Sequence, residues 1–221
     1  MVLELSAESF GTFSMAARCE RTGELGVCVS TAALAVGAVV PHVELDVGAI
    51  ATQATTNVIY GIKGLQLMRL GLSPSNALDA LLREDEKREV RQVTMIDKDG
   101  RTAAFTGKET VEWKGHLTGR NYATAGNMLV GPQVIEAMAK TFESTEGLLE
   151  ERLMKVLEAG QKAGGDKRGK TSAALLVKKK AMGASMRPWI DLRVDEHTDP
   201  VTELRRIYEI FKARYLSASK A

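Results

Sequence analysis

The chain has 221 residues, 44% of them hydrophobic and 26% charged, and its 30 basic and 28 acidic residues leave a formal net charge of +2. That length suffices for one sizeable core, and the near-balance of charge excludes a general electrostatic footprint for nucleic acid. The two cysteines, Cys19 and Cys28, do not make a disulfide framework, no apolar run reaches the ~18 residues of a membrane span, and the acidic start MVLELSAESFG lacks the apolar stretch of a secretory signal. A cytoplasmic protein without membrane or nucleic-acid partners is the expectation.

Residues 12–19 and 25–32 read as strands joined by the polar loop Glu20-Arg21-Thr22-Gly23-Glu24, a hairpin signal. A third strand is predicted at 47–54, and the small, apolar composition of all three suits a sheet covered on both faces. From Asn57 to Leu70 the period becomes helical, and Ser73-Pro74 opens a second helix as N-cap and first helical residue. A second hairpin, 90–97 with 101–107, turns at Lys98-Asp99-Gly100. A short strand follows at 122–126, helices at 131–143 and 148–162, strands at 172–178 and 189–194, and a last helix from Asp199-Pro200 to about Tyr215. Strands and helices come in blocks, which predicts antiparallel sheets layered with helix pairs in one domain rather than a βαβ parallel sheet.

Gly164-Gly165-Asp166-Lys167-Arg168-Gly169-Lys170-Thr171 matches the Walker A pattern. That motif needs a strand before the loop and a helix after it; here a predicted helix precedes and a predicted strand follows, so a nucleotide triphosphatase is disfavoured. His42, His116 and His197 are scattered without metal-ligand spacing, so neither metal nor cofactor is expected. The Asp195-Glu196-His197 cluster reads as a helix entry, and Trp113 and Trp189 as packing.

The first strand is the chemical candidate. Thr12, Ser14 and Ala16 share a face by strand alternation, and a turn near Thr22-Gly23 places Ser14 opposite Thr31, so three hydroxyls cluster. A hydroxyl nucleophile needs a base. A threonine at a free N-terminus carries its own, an α-amine with an unperturbed pKa of ~7.7–8.0. Eleven residues precede Thr12, so Gly11-Thr12 is the bond to break, and a glycine there leaves its carbonyl open to attack in an N→O acyl shift.

The segments Thr12-Phe13-Ser14, Thr22-Gly23-Glu24-Leu25-Gly26-Val27, Ala35 to Pro41, Ala51-Thr52-Gln53-Ala54 and Gly126-Asn127 resemble the DUF1028 family, as do Ala159 to Asp166 with Arg168-Gly169, Ser172 to Val177, and Asp191-Leu192-Arg193-Val194-Asp195. The family is grouped with the Ntn-hydrolase superfamily. The resemblance implies an α+β fold, a four-layer αββα sandwich of two packed antiparallel sheets flanked by helix pairs, over a single domain at 12–216, with a leader at 1–11 and a tail at 217–221. It implies an N-terminal-nucleophile amidohydrolase acting on a small amide or peptide, associating as a homo-oligomer. Members typically begin with Met before the Thr-Phe-Ser; this chain carries the longer leader, and Ala32 where a larger or basic residue is common.

The element order also resembles a proteasome β-subunit. By that resemblance Asn127 donates a side-chain or backbone N–H to the oxyanion, and Asp166 and Ser172 hold the threonine amine or hydroxyl; Ser14 and Thr31, from the strand alternation, are the supporting polar residues. A non-catalytic ligand-binding or assembly module of the same fold is the alternative.

Overall fold

The computed structural model describes residues 11–179 and 190–216. Residues 1–10 of the expected leader, Trp189 and the tail 217–221 lie outside the described residues. The fold is mixed α+β, with two antiparallel sheets and five α-helices among the described residues. No helix among those residues is long and apolar enough to cross a membrane.

The larger sheet has the strand order β10-β9-β2-β1-β8-β7, formed by β1 (Thr12–Arg18), β2 (Leu25–Thr31), β7 (Gly115–Gly119), β8 (Tyr122–Asn127), β9 (Ser172–Lys178) and β10 (Ile190–Val194). The smaller runs β3-β4-β5-β6, from β3 (Pro41–Glu44), β4 (Gly48–Ala54), β5 (Arg91–Asp97) and β6 (Thr102–Thr106). The helices are α1 (Ile59–Arg69), α2 (Pro74–Glu84), α3 (Gln133–Ser144), α4 (Leu149–Lys162) and α5 (Pro200–Phe211).

Alternation along each strand decides which neighbour it meets. Phe13 and Met15 of β1 pack with Met138 and Phe142 of α3, Leu153 and Leu157 of α4, and Leu204 and Tyr208 of α5. Ala16 of β1 faces the other way and joins Leu25, Val27 and Val29 of β2 against Ala49, Ala51 and Ile96 of the smaller sheet. Ile50, Val93 and Met95 leave the far face of that sheet to meet Tyr60, Leu65 and Met68 of α1 and Leu78 and Leu81 of α2. Each large apolar side chain buried this way contributes about 1.5–3 kcal/mol.

Local chemistry sets the ends as expected in several places. The Ser73 hydroxyl accepts the amide of Asn76 at 3.3 Å, with Pro74 opening α2. At the β5–β6 turn, Asp97 Oδ1 accepts the amides of Asp99 and Arg101 at 3.0 and 2.9 Å. Asp199-Pro200 opens α5, which gives way at Lys212 to a π-helical turn. The His197 imidazole accepts the amide of Asp199 at 2.9 Å, the helix-entry role read for it.

Two strands were not predicted. The strand β3 has four residues and starts on a proline, a short edge strand with a weak sequence signal. The strand β7 is a polar edge, Gly115-His116-Leu117-Thr118-Gly119, without an apolar alternation.

The register of β1 on β2 is also corrected. Thr12 pairs with Thr31, and Ser14 pairs with Val29. The connection spans Cys19 to Glu24, closed by Cys19 N–H on the Glu24 carbonyl and by Gly23 N–H on the Cys19 carbonyl, each at 2.8 Å. Gly23 supplies the positive φ of 73° that the turn requires. The pairing moves by two residues, which preserves every face.

Candidate active site

Where the two sheets face each other, one end of the layer is polar. In the larger sheet, pairing puts Asn127, Thr12, Thr31 and Ser172 in a single row across β8, β1, β2 and β9. In the smaller sheet, Gln53, Gln92 and Thr106 form a row across β4, β5 and β6. Directly paired residues share a face, so all four members of the first row lie on the side of Ala16 and the intersheet core. All of them are buried.

The structure brings Thr12 and Thr31 together. The Thr12 hydroxyl donates to Thr31 Oγ1 at 3.3 Å, and the Thr31 hydroxyl donates to the carbonyl of Gly11. Ser14, expected beside Thr31, instead donates to Gln53 Oε1 across the layer at 2.6 Å. Gln53 Nε2 donates to Gln92 Oε1 at 2.7 Å and to the Thr12 carbonyl at 3.4 Å.

Gln92 is the hub of this network. Its Nε2 donates to the carbonyls of Gly126 (2.8 Å) and Gly115 (3.1 Å) and to Thr106 Oγ1 (3.0 Å). Two carbonyl acceptors fix which end of the amide is nitrogen, so Oε1 must face Gln53 and Asn127. Asn127 accordingly donates Nδ2 to Gln92 Oε1 at 3.0 Å. Its Oδ1 is buried and receives no hydrogen bond from the described residues. One of the two side-chain N–H groups of Asn127 is therefore committed to Gln92, and its Oδ1 stands beside it as an acceptor. Beyond Thr106, its hydroxyl bonds His116 Nδ1 at 2.8 Å, and burial lowers the His116 pKa from 6.5.

Asp166 reaches the site from the glycine-rich loop. That loop leaves α4 and enters β9, the reverse of a phosphate-binding loop, as the element order predicted. Gly164, Gly165 and Gly169 take positive φ. The loop is stitched to the end of β8: Val130 N–H donates to the Gly165 carbonyl at 3.2 Å, and Lys167 N–H donates to the Met128 carbonyl at 3.0 Å. Lys170, the would-be phosphate lysine, pairs with Asp199 at 2.8 Å.

So placed, Asp166 Oδ2 accepts Ala32 N–H at 3.1 Å and Arg168 Nη2 at 2.7 Å. Its Oδ1 accepts Arg168 N–H at 2.9 Å and Nε at 3.2 Å. Arg168 Nη2 also donates to the Gly11 carbonyl at 3.1 Å. Ser172 works one step away. Its hydroxyl donates to the Ala33 carbonyl at 2.6 Å and accepts Val36 N–H at 3.1 Å, which ties down the loop after β2.

Arg168, Gln53 and Gln92 were not singled out from sequence as site residues. Arg168 stands two positions after Asp166 in a loop already marked by glycines. Gln53 shares the alternation of Ala49 and Ala51, so a polar side chain facing inward was the available signal. Among the described residues, no group of three or more His, Cys, Asp or Glu side chains is placed to hold a metal ion.

The class of structure is a mixed α+β fold of two antiparallel sheets and five α-helices among the described residues, with a buried threonine heading β1 of the larger sheet. The chain belongs to DUF1028, a family of unknown function, whose model matches residues 12–204. The crystal structure of a DUF1028 protein from Silicibacter pomeroyi is 33% identical, with a TM-score of 0.83 over 91% of this chain and 89% of that one. The ancestral β-subunit Anbu from Yersinia bercovieri aligns over 93% of this chain and 96% of its own, at 8% identity and a TM-score of 0.42. No curated protein matches the chain.

Proposed function

We propose that this protein is an N-terminal-nucleophile amidohydrolase, its two sheets and outer helices stacked as a four-layer αββα sandwich over residues 12–216. The reading is carried by one observation: a buried hydroxyl, Thr12, stands at the head of β1, directly after Gly11 and in contact with Thr31. With residues 1–11 removed, Thr12 gains an α-amine that takes the proton from its own hydroxyl near neutral pH. The hydroxyl oxygen then attacks the carbonyl of a small amide or peptide, the amine protonates the leaving nitrogen, and water releases the acyl group.

The neighbours divide the supporting work. Asp166 fixes Arg168 and the Ala32 amide beside the nucleophile. Ser172 holds the adjoining loop. Asn127, paired with Thr12 across the sheet, offers Oδ1 as an acceptor for an N–H of the freed amine or of the substrate.

The test is hydrolysis of a panel of amides, together with covalent labelling by a hydroxyl-acylating probe located by peptide mass. Thr12→Ala is expected to lose labelling and about 10⁴-fold or more in turnover. Turnover retained by that variant removes Thr12 as nucleophile.

A further inference from the structure

A cleft of about 280 Å³ lies at the end of the larger sheet away from Thr12. Arg18 ends β1, Arg120 and Asn121 make the turn between β7 and β8, Phe142 and Glu143 belong to the last turn of α3, and Arg152 to the start of α4. At ~3.3 Å per residue, β1 carries the chain about 20 Å from Thr12 to Arg18, so the cleft is separate from the candidate active site.

Arg18 and Arg152 are partly buried, and neither has an ion pair among the described residues. The ε N–H of each is closed off from solvent and meets no acceptor there. Arg18 Nη1 donates to Asn121 Oδ1 at 3.3 Å, and Arg152 Nη2 to the Phe142 carbonyl at 2.8 Å, with the guanidinium 3.8 Å above the Phe142 ring. The remaining η nitrogens, Nη2 of Arg18 and Nη1 of Arg152, donate to none of the described residues. Arg205 shows the contrast. Also partly buried, it gives Nε and Nη2 to Glu158 at 2.6 and 3.1 Å and Nη1 to Glu151 at 2.9 Å. Burial pulls its pKa down, but the two glutamates outweigh burial and the pKa rises. At Arg152 burial prevails and the pKa falls, with Cys19 and Glu146 pulling weakly the other way. A partly buried guanidinium without a carboxylate beside it is costly unless an anion completes it.

We infer that Arg18, Arg120 and Arg152 form a binding site for a phosphate group, carried either by free phosphate or by a small phosphomonoester. Three guanidinium groups around one cleft offer more donors than the two oxygens of a carboxylate can use, and their planar forks match phosphate oxygens. The Phe142 ring backs Arg152 and fixes the plane of its fork. Arg120 pairs with Glu20 at the rim, where both side chains are exposed. An ion pair in that setting is weak, so Arg120 is free to turn to an incoming anion. Glu143, the other carboxylate lining the cleft, accepts the Tyr122 hydroxyl at 2.6 Å. Three positive charges thus face two negative ones, both already engaged. The volume is near the lower end for ligand pockets, which suits a small phosphate ester better than a nucleotide.

The test is isothermal titration calorimetry of the full chain with inorganic phosphate, glycerol 3-phosphate and succinate at matched ionic strength. At least one phosphate probe should saturate a single site with a Kd below about 1 mM. Tighter binding of glycerol 3-phosphate assigns an ester, and tighter binding of inorganic phosphate assigns the free ion. Arg18→Gln and Arg152→Gln should each weaken binding about tenfold or more. Arg152→Lys, which keeps the charge and loses the fork, should weaken it too, while Thr12→Ala should bind as the parent does. A second measurement needs no variant. Phenylglyoxal, located by peptide mass, should modify Arg120 in the free parent and spare it when the bound probe is present, while the exposed Arg206 reacts alike in both. No saturable binding, binding unchanged in both glutamine variants, or an unprotected Arg120 overturns the site. Succinate bound as tightly as the phosphate probes overturns the phosphate class. Each of these outcomes leaves the reading of Thr12 standing.

Discussion

The space between the two sheets has two ends of opposite character, built on the same faces of the same strands. One end is Ala16, Leu25, Val27, Val29, Ala49, Ala51 and Ile96. The other is Thr12, Ser14, Thr31, Gln53, Gln92, Asn127 and Ser172, equally removed from solvent. On β2 the border falls between Val29 and Thr31, and on β4 between Ala51 and Gln53. The apolar end is held by area removed from water and tolerates changes of shape within limits. The polar end is held by completed bonds, because each buried polar group left unbonded costs about 1–3 kcal/mol. A cluster so dependent on completeness is a poor way to gain stability and a good way to fix side chains for chemistry.

That contrast can be broken from either side. Gln92→Leu should have the largest effect on stability, about 4 kcal/mol in urea unfolding, because it strands the Gly126 carbonyl, Gln53 Nε2 and Asn127 Nδ2 together. Leu25→Ala at the apolar end should cost about 3 kcal/mol by the same measurement and leave the rate of Gly11–Thr12 cleavage unchanged in intact-mass time courses. Ser14→Ala removes one bond, to Gln53, and should cost about 1 kcal/mol, with Gln53 Oε1 losing its donor.

The smallest effect lies outside both ends. Burial lowers the His42 pKa from 6.5, against a weaker opposing pull from the Val40 carbonyl, and His116 is shifted the same way by burial. The folded chain therefore binds fewer protons than the unfolded chain just below about pH 6.5. Their contribution to stability is complete above that value and declines as pH falls. Melting temperature should drop modestly between about pH 7.5 and about pH 5.5. His42→Gln should flatten part of that slope.

Thr12 and its hydroxyl partner were readable from sequence because hairpins and strand alternation are local rules. The shared face of Thr12, Ser14 and Thr31 follows from those rules, but the pairing of Thr31 with Ser14 does not hold: Thr31 faces Thr12, since the turn between Cys19 and Glu24 centres earlier than Thr22-Gly23 suggests. The glycine-rich loop was likewise legible as helix-to-strand from the order of its flanking elements. Gln53 and Gln92 were not, because they lie 39 positions apart and acquire meaning only when one sheet is laid on the other. The Asn127 side chain was placed beside Thr12 by resemblance, but its orientation is set by Gln92, which no reading along β8 could reveal.

Gly11 leaves no room for anything larger. A β-carbon there would stand 2.6 Å from both Asp166 Oδ2 and the Met128 side chain. Anyone attaching a purification tag or fusion partner ahead of Thr12 is therefore bound by the fold to a glycine at the junction. Any other junction residue would push the Asp166 carboxylate, and Arg168 with it, away from the head of the strand.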